Sequence, residues 1–151
     1  MSVAARAVLV VAWIAAQTAL ILTAGKRPDA AFAFRMFPES STISISLARE
    51  LADGSAVPVE EGRWHAHDAH GAPHDHAWSD RVKDAVLSNL DVTVNAAYGS
   101  DAQLSRLAAA LDDAITHLDD DVETRRLIAT VSVRKNGRDP ITVTLSSRRR
   151  P

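Results

Sequence analysis

Five of the six histidines fall in one stretch, Trp64 to Trp78, which reads WHAHDAHGAPHDHAW. They are His65, His67, His70, His74 and His76, with Asp68 and Asp75 interleaved and a tryptophan at each end. Neutral imidazole and carboxylate are ordinary ligands for zinc, nickel or copper. In extended backbone His65 and His67 point the same way, as do His74 and His76. If Gly71-Ala72-Pro73 folds the two halves together, one loop offers four nitrogen ligands, and zinc or copper is the cofactor it would hold. Two other readings use the same residues. One is a variable surface insertion, since His-rich tracts are compositional signals rather than defined sites. The other is a pH-responsive loop, because imidazoles as a class titrate near neutral pH. The H-x-H spacing is unspecific, and no H-E-x-x-H motif is present.

Other chemistry is sparse. Cysteine is absent, so there is no disulfide, thiolate nucleophile or cysteine-based zinc site. No Gly-rich phosphate loop, nucleophile elbow or carboxylate pair stands out, and His117 falls at the polar end of an amphipathic segment. The sequence therefore points away from an enzyme and shows no small-molecule substrate. The formal net charge is −2. That leaves no basic field suited to nucleic acid, and the terminal Arg148-Arg149-Arg150 reads as a solvated tail.

The elements around the histidine loop follow from periodicity. Ile43, Ile45 and Leu47 alternate, Asp53-Gly54 signals a turn, and Ser55 to Val59 alternates again, so Ser41 to Trp64 reads as a hairpin. Val82, Val86, Leu90, Val94 and Ala97 recur at helical spacing, which predicts a helix over Ser79 to Ala97. Leu104, Leu107, Ala108, Leu111, Ile115 and Leu118 predict a second helix over Asp101 to Leu118, capped by Ser100 or Asp101. Leu127 to Arg134 and Ile141 to Leu145 alternate around Asn136-Gly137 and predict a closing hairpin. The expected fold is α+β: an N-terminal transmembrane helix, then a ββ-αα-ββ domain with a four-stranded antiparallel sheet and two helices on one face.

The transmembrane expectation rests on Ala7 to Ala24, a run without charge. At about 1.5 Å per residue it covers roughly 27 Å, close to a hydrocarbon core, with Arg6 and Lys26 able to snorkel. A cleaved signal peptide is the competing reading, but its apolar region is usually shorter. The expected organisation is an anchor over 1–26, a juxtamembrane segment over 27–40 and a domain over 41–151 with the histidine loop at 64–78. The cell membrane is then the address and the lipid bilayer a partner. The charge count leans toward a cytoplasmic domain, whereas the short N-terminal tail leans toward an exported one, and the exported reading is preferred. Ala12 and Ala16 stand four residues apart and Gln17 follows, a pattern that allows close helix packing or merely reflects alanine-rich composition. Phe32, Phe34, Met36 and Phe37 cluster just beyond the run and suit contact with another protein, with an interfacial belt or a core strand as alternatives.

The segment FRMFPESSTISISLAREL, a DG-x-x-VPV stretch, an AYG between two helices and a closing RKNG hairpin give a resemblance. The chain resembles small single-span actinobacterial proteins that accompany multi-span membrane proteins related to vitamin K-dependent γ-carboxylases. The resemblance implies an accessory subunit bound to an integral membrane partner through the apolar run and the Phe-rich segment. It carries over no catalytic residue and does not include the histidine loop. A metal capture or delivery module built on that loop is the alternative function.

Overall fold

A computed structural model describes residues 3–24, 39–96 and 98–151. The chain divides into two compact units, Met1–Pro38 and Glu39–Pro151. Phe32, Phe34, Met36 and Phe37 lie outside the described residues.

In the first unit, α1 runs over Val3–Ala24. Its helical state follows from long apolar side chains and alanines, with no Gly or Pro to break it. Among the described residues, no helix is long and apolar enough to cross a membrane. This corrects the transmembrane anchor, the single-pass topology and the cell-membrane address read from the sequence. Gln17 and Thr18 interrupt the apolar side chains of α1, and the Thr18 hydroxyl folds back to donate to the Ile14 carbonyl at 2.9 Å.

The second unit is mostly β-sheet with helices. Its strands are β1 (Ser41–Leu51), β2 (Ala56–Pro58), β3 (Arg63–His67), β4 (Pro73–Ala77), β5 (Val94–Asn95), β6 (Thr124–Lys135) and β7 (Ile141–Ser146). The helices are α2 (Trp78–Arg81) and α3 (Ser100–Thr116). The main sheet has the order β2-β1-β6-β7, all antiparallel, with β5 also paired to β1. β3 and β4 form a separate two-stranded ribbon. The alternation of β1 and β6 settles the register. Ile43 faces Val133, Ile45 faces Val131 and Leu47 faces Ala129, and all six are buried. A slip of one residue would turn that whole apolar set to water. Leu107, Leu111 and Ile115 of α3, with Leu118 just beyond it, complete the core.

The closing hairpin follows the sequence reading, the first does so only over β1 and β2 because Trp64 belongs to the separate β3–β4 ribbon, and the middle of the chain does not. Helix one was expected over Ser79 to Ala97, yet only Trp78–Arg81 is helical. Val82 is already extended, with φ −116° and ψ 108°. Two specific contacts hold the segment in another shape. The buried Trp78 indole donates to the Leu87 carbonyl at 2.7 Å, and the Asp84 carboxylate accepts from the backbone N–H of Val86 and Leu87. Asp91 takes a left-handed φ of 58° and donates its N–H to the Ile45 carbonyl. That turn feeds β-branched Val94, with Asn95, into the sheet edge as β5, where extended backbone suits it. The ββ-αα-ββ order is therefore corrected to one long helix, one short helical turn and an inserted ribbon.

The start of α3 also differs in detail. Its first residue is Ser100, and the preceding Gly99 has φ 89°, which glycine tolerates. The cap comes from outside the helix. Glu39 Oε1 accepts from the Ser100 N–H at 3.0 Å and the Ser100 hydroxyl at 2.8 Å. Lys135 Nζ lies 3.2 Å from the same carboxylate. Burial alone would raise the Glu39 carboxyl, but these donors outweigh it and bring it down to about 2.

Candidate functional site

The histidine stretch is the β3–β4 ribbon, not a loop. Asp68 shapes its tip, accepting backbone N–H groups of His70 at 2.8 Å and Ala72 at 2.9 Å. Gly71 has φ 80°, a left-handed value that closes the turn without a Cβ penalty. The register pairs Trp64 with His76, His65 with Asp75, Ala66 with His74 and His67 with Pro73. Directly opposite residues share a face. The exposed face therefore carries His65, His67 and Asp75, and the inner face carries Trp64, Ala66, His74 and His76.

This register separates the histidines that the sequence reading brought together. His65 and His67 lie on one side of the ribbon, His74 and His76 on the other, so the four nitrogens do not converge. Each outward or flanking imidazole meets a carboxylate instead. His65 contacts Asp75, His67 Nδ1 lies 2.6 Å from Glu123 Oε1, and His74 Nε2 lies 3.2 Å from Asp68 Oδ2. His70 stands exposed at the tip. Among the described residues, no group of three or more His, Asp and Glu is placed to hold a metal ion.

Beneath the ribbon lies a polar cluster that the sequence reading missed. Asp121 is 0% exposed and Arg49 is buried beside it. Asp121 Oδ2 accepts from the Trp64 indole at 2.9 Å and the Thr124 hydroxyl at 2.6 Å, with Arg49 Nη1 at 3.4 Å. Its Oδ1 accepts the backbone N–H groups of Glu123 at 3.0 Å and Thr124 at 2.8 Å. The Trp64 ring stacks on His76, with centroids 5.2 Å apart and planes 21° off parallel, and Arg49 sits 5.9 Å from the Trp64 ring centre. Burial would raise the Asp121 carboxyl. The Thr124 and Trp64 donors and the Arg49 charge outweigh that, so it stays ionised below the ordinary aspartate range. Burial dominates at His76 and lowers it, opposed by the Asp121 charge.

Five donors around one carboxylate occupy the acceptor positions a general base would need. The cluster is a clamp. It fastens the ribbon through Trp64, the sheet through Arg49 and the entry of β6 through Thr124. Two sequence signals mark it. Arg49 occupies the fourth inward position of the alternation Ile43, Ile45, Leu47, Arg49, where a charge needs a buried partner. Asp121 ends the run Asp119-Asp120-Asp121, which reads as solvated chain unless that partner is sought.

The first unit's candidate contact residues are placed more simply. Ala12 and Ala16 are exposed on α1 and Gln17 is half-buried. The chain matches no family model, no curated protein and no solved structure.

Proposed function

We propose that the protein is an accessory interaction subunit, not a catalyst, and that α1 is the element that docks it on a partner protein. One observation carries this reading. Val8, Leu9, Val11, Trp13, Ile14 and Leu22 are each more than half exposed, with Trp13 at 67% and Leu22 at 74%. At 100° per residue these positions face every side of the helix, not one stripe. A helix apolar all round is stable in use only when enclosed on all sides. The occupant that fits is a groove between apolar helices of a partner protein. Ala12 and Ala16 keep one side slim enough for close helix approach, and Trp13 is the kind of large anchor that dominates interface energetics. The resemblance to companion subunits of larger proteins points the same way. The clamped ribbon then displays His65, His67 and His70 from the subunit's other unit as a rigid feature.

The test is affinity purification of the full chain from its native source, with the co-purifying chain identified and quantified. One partner in fixed stoichiometry is expected, lost in Ile14→Asp and kept in Thr130→Ala, whose side chain is exposed on the sheet. Equal recovery with Ile14→Asp, or a chain that purifies alone, overturns the proposal.

A further inference from the structure

The alternation that buries Ile43 and Val133 turns a second set of side chains to the opposite face of the main sheet, and at one end of that face the set is rich in hydroxyls. Ser44 of β1 pairs with Ser132 of β6, which pairs with Thr142 of β7. Thr42 pairs with Arg134 at the end of the same face. A groove of about 450 Å³ opens there, lined by Thr42, Ile43, Ser44, Thr93, Ser132, Arg134 and Pro140. Thr93 directly precedes β5 and Pro140 directly precedes β7.

The side-chain chemistry of this groove is one-sided. Among the described residues, the Arg134 guanidinium has no ion pair, and the hydroxyls of Thr42, Ser44, Thr93 and Ser132 have no hydrogen-bond partner. No carboxylate lines the groove. Among the described residues Arg49, Arg106, Arg126, Arg148 and Lys135 are matched with acids, whereas Arg134, like Arg63 and Arg138, has no such partner. Four hydroxyls and a guanidinium fork offer more donors than the acceptor sites of one carboxylate can take up. A phosphate monoester presents three strong acceptor oxygens and suits bidentate arginine. The volume falls in the range of small-molecule sites and leaves room for an organic body. That body is not a nucleobase, since no aromatic lines the groove for stacking. Hydroxyls donate and accept, which fits a polyol.

We propose that this groove binds a phosphorylated polyol or sugar, its phosphate held by the Arg134 fork and the four surrounding hydroxyls. The site is independent of α1 and of the partner it docks on. Its test is a titration of the full chain with glucose 6-phosphate and glycerol 3-phosphate, read by calorimetry and by amide shifts of Thr42, Ser44 and Ser132. Glucose and sulfate are the controls. Saturable binding of the phosphorylated probes is expected, at least roughly tenfold weaker in Arg134→Gln and intermediate in Arg134→Lys, which keeps the charge but not the fork. Ser132→Ala should weaken it severalfold. Arg134 and Ser132 are exposed, so unchanged thermal melting keeps these variants interpretable. The proposal is overturned if no saturable binding is seen, if glucose binds as well as glucose 6-phosphate, or if Arg134→Gln binds as well as the parent.

Discussion

Asp121 is the residue on which the domain's polar interior turns. It is buried, ionised and surrounded by donors, and a charge in that position is tolerated only while its partners stay. Asp121→Ala leaves Arg49 buried without its counter-charge. The expected cost is about 3–5 kcal/mol, read from denaturant unfolding followed by tryptophan fluorescence. Asp121→Asn keeps the shape and part of the hydrogen bonding, and falls between the two. A loss within ordinary surface-mutation range for Asp121→Ala would show that the clamp is not built as described.

His76 sets the first step of the acid response. Its folded-state value lies below that of a free imidazole because burial resists its charging. A lowered base takes up more protons unfolded than folded. Its contribution is therefore complete above the unfolded value near 6.5 and is lost as pH falls through that value. His76→Phe keeps a ring against Trp64 and removes the titration. Stability measured from about pH 7 down to about pH 5 should slope downward in the parent and flatten in the variant. An unchanged slope contradicts the assignment.

At the scale of elements, the sequence was readable where one periodicity served one neighbour. β1, β6 and β7 alternate because each pairs within one sheet over one core, and α3 carries a single stripe against that sheet. The stretch Ser79 to Ala97 misled because its apolar residues are wanted by the core but its backbone is wanted elsewhere. Trp78 and Asp84 hydrogen-bond within local turns and Asp91 is tied to Ile45 of β1, and helical spacing alone does not reveal these bonds. The histidine stretch misled for a related reason. Its composition suggested a metal loop, whereas strand register decides which imidazoles can meet, and register depends on the turn at Gly71. The clamp is easily missed because Arg49 and Asp121 are distant in sequence and hydropathy reads each as surface, so only the inward position of Arg49 in the β1 alternation points to it.

Two element-scale predictions follow from these contacts. Glu39 caps α3 across the chain, and Glu39→Ala should cost about 1 kcal/mol, the usual worth of a helix cap. The carboxylate is lowered to about 2 in the fold. Its contribution is complete above the unfolded value near 4.5 and lost as pH falls from there toward about 2, a window below that of His76. Calorimetric melting of parent and Glu39→Ala should converge at the acid end of that window. The ribbon should behave as a strand pair and not as a loop. Hydrogen exchange should show protection in β3 and β4, lost in Trp64→Ala as the Asp121 bond and the His76 stack go together. Rapid exchange across the ribbon in the parent would contradict the register.

For the whole molecule, the central contrast lies between an enclosed interior in Glu39–Pro151 and an apolar helix whose large side chains are exposed. Such a helix needs a surface to cover it, and we propose a partner protein in that role. The most direct measurement places a photo-crosslinking amino acid at Trp13 in the full chain and activates it in the native source. One dominant protein adduct is expected, the same chain each time, absent when the crosslinker is moved to exposed Ser132. Adducts to lipid alone, or none at all, would contradict docking on a partner protein.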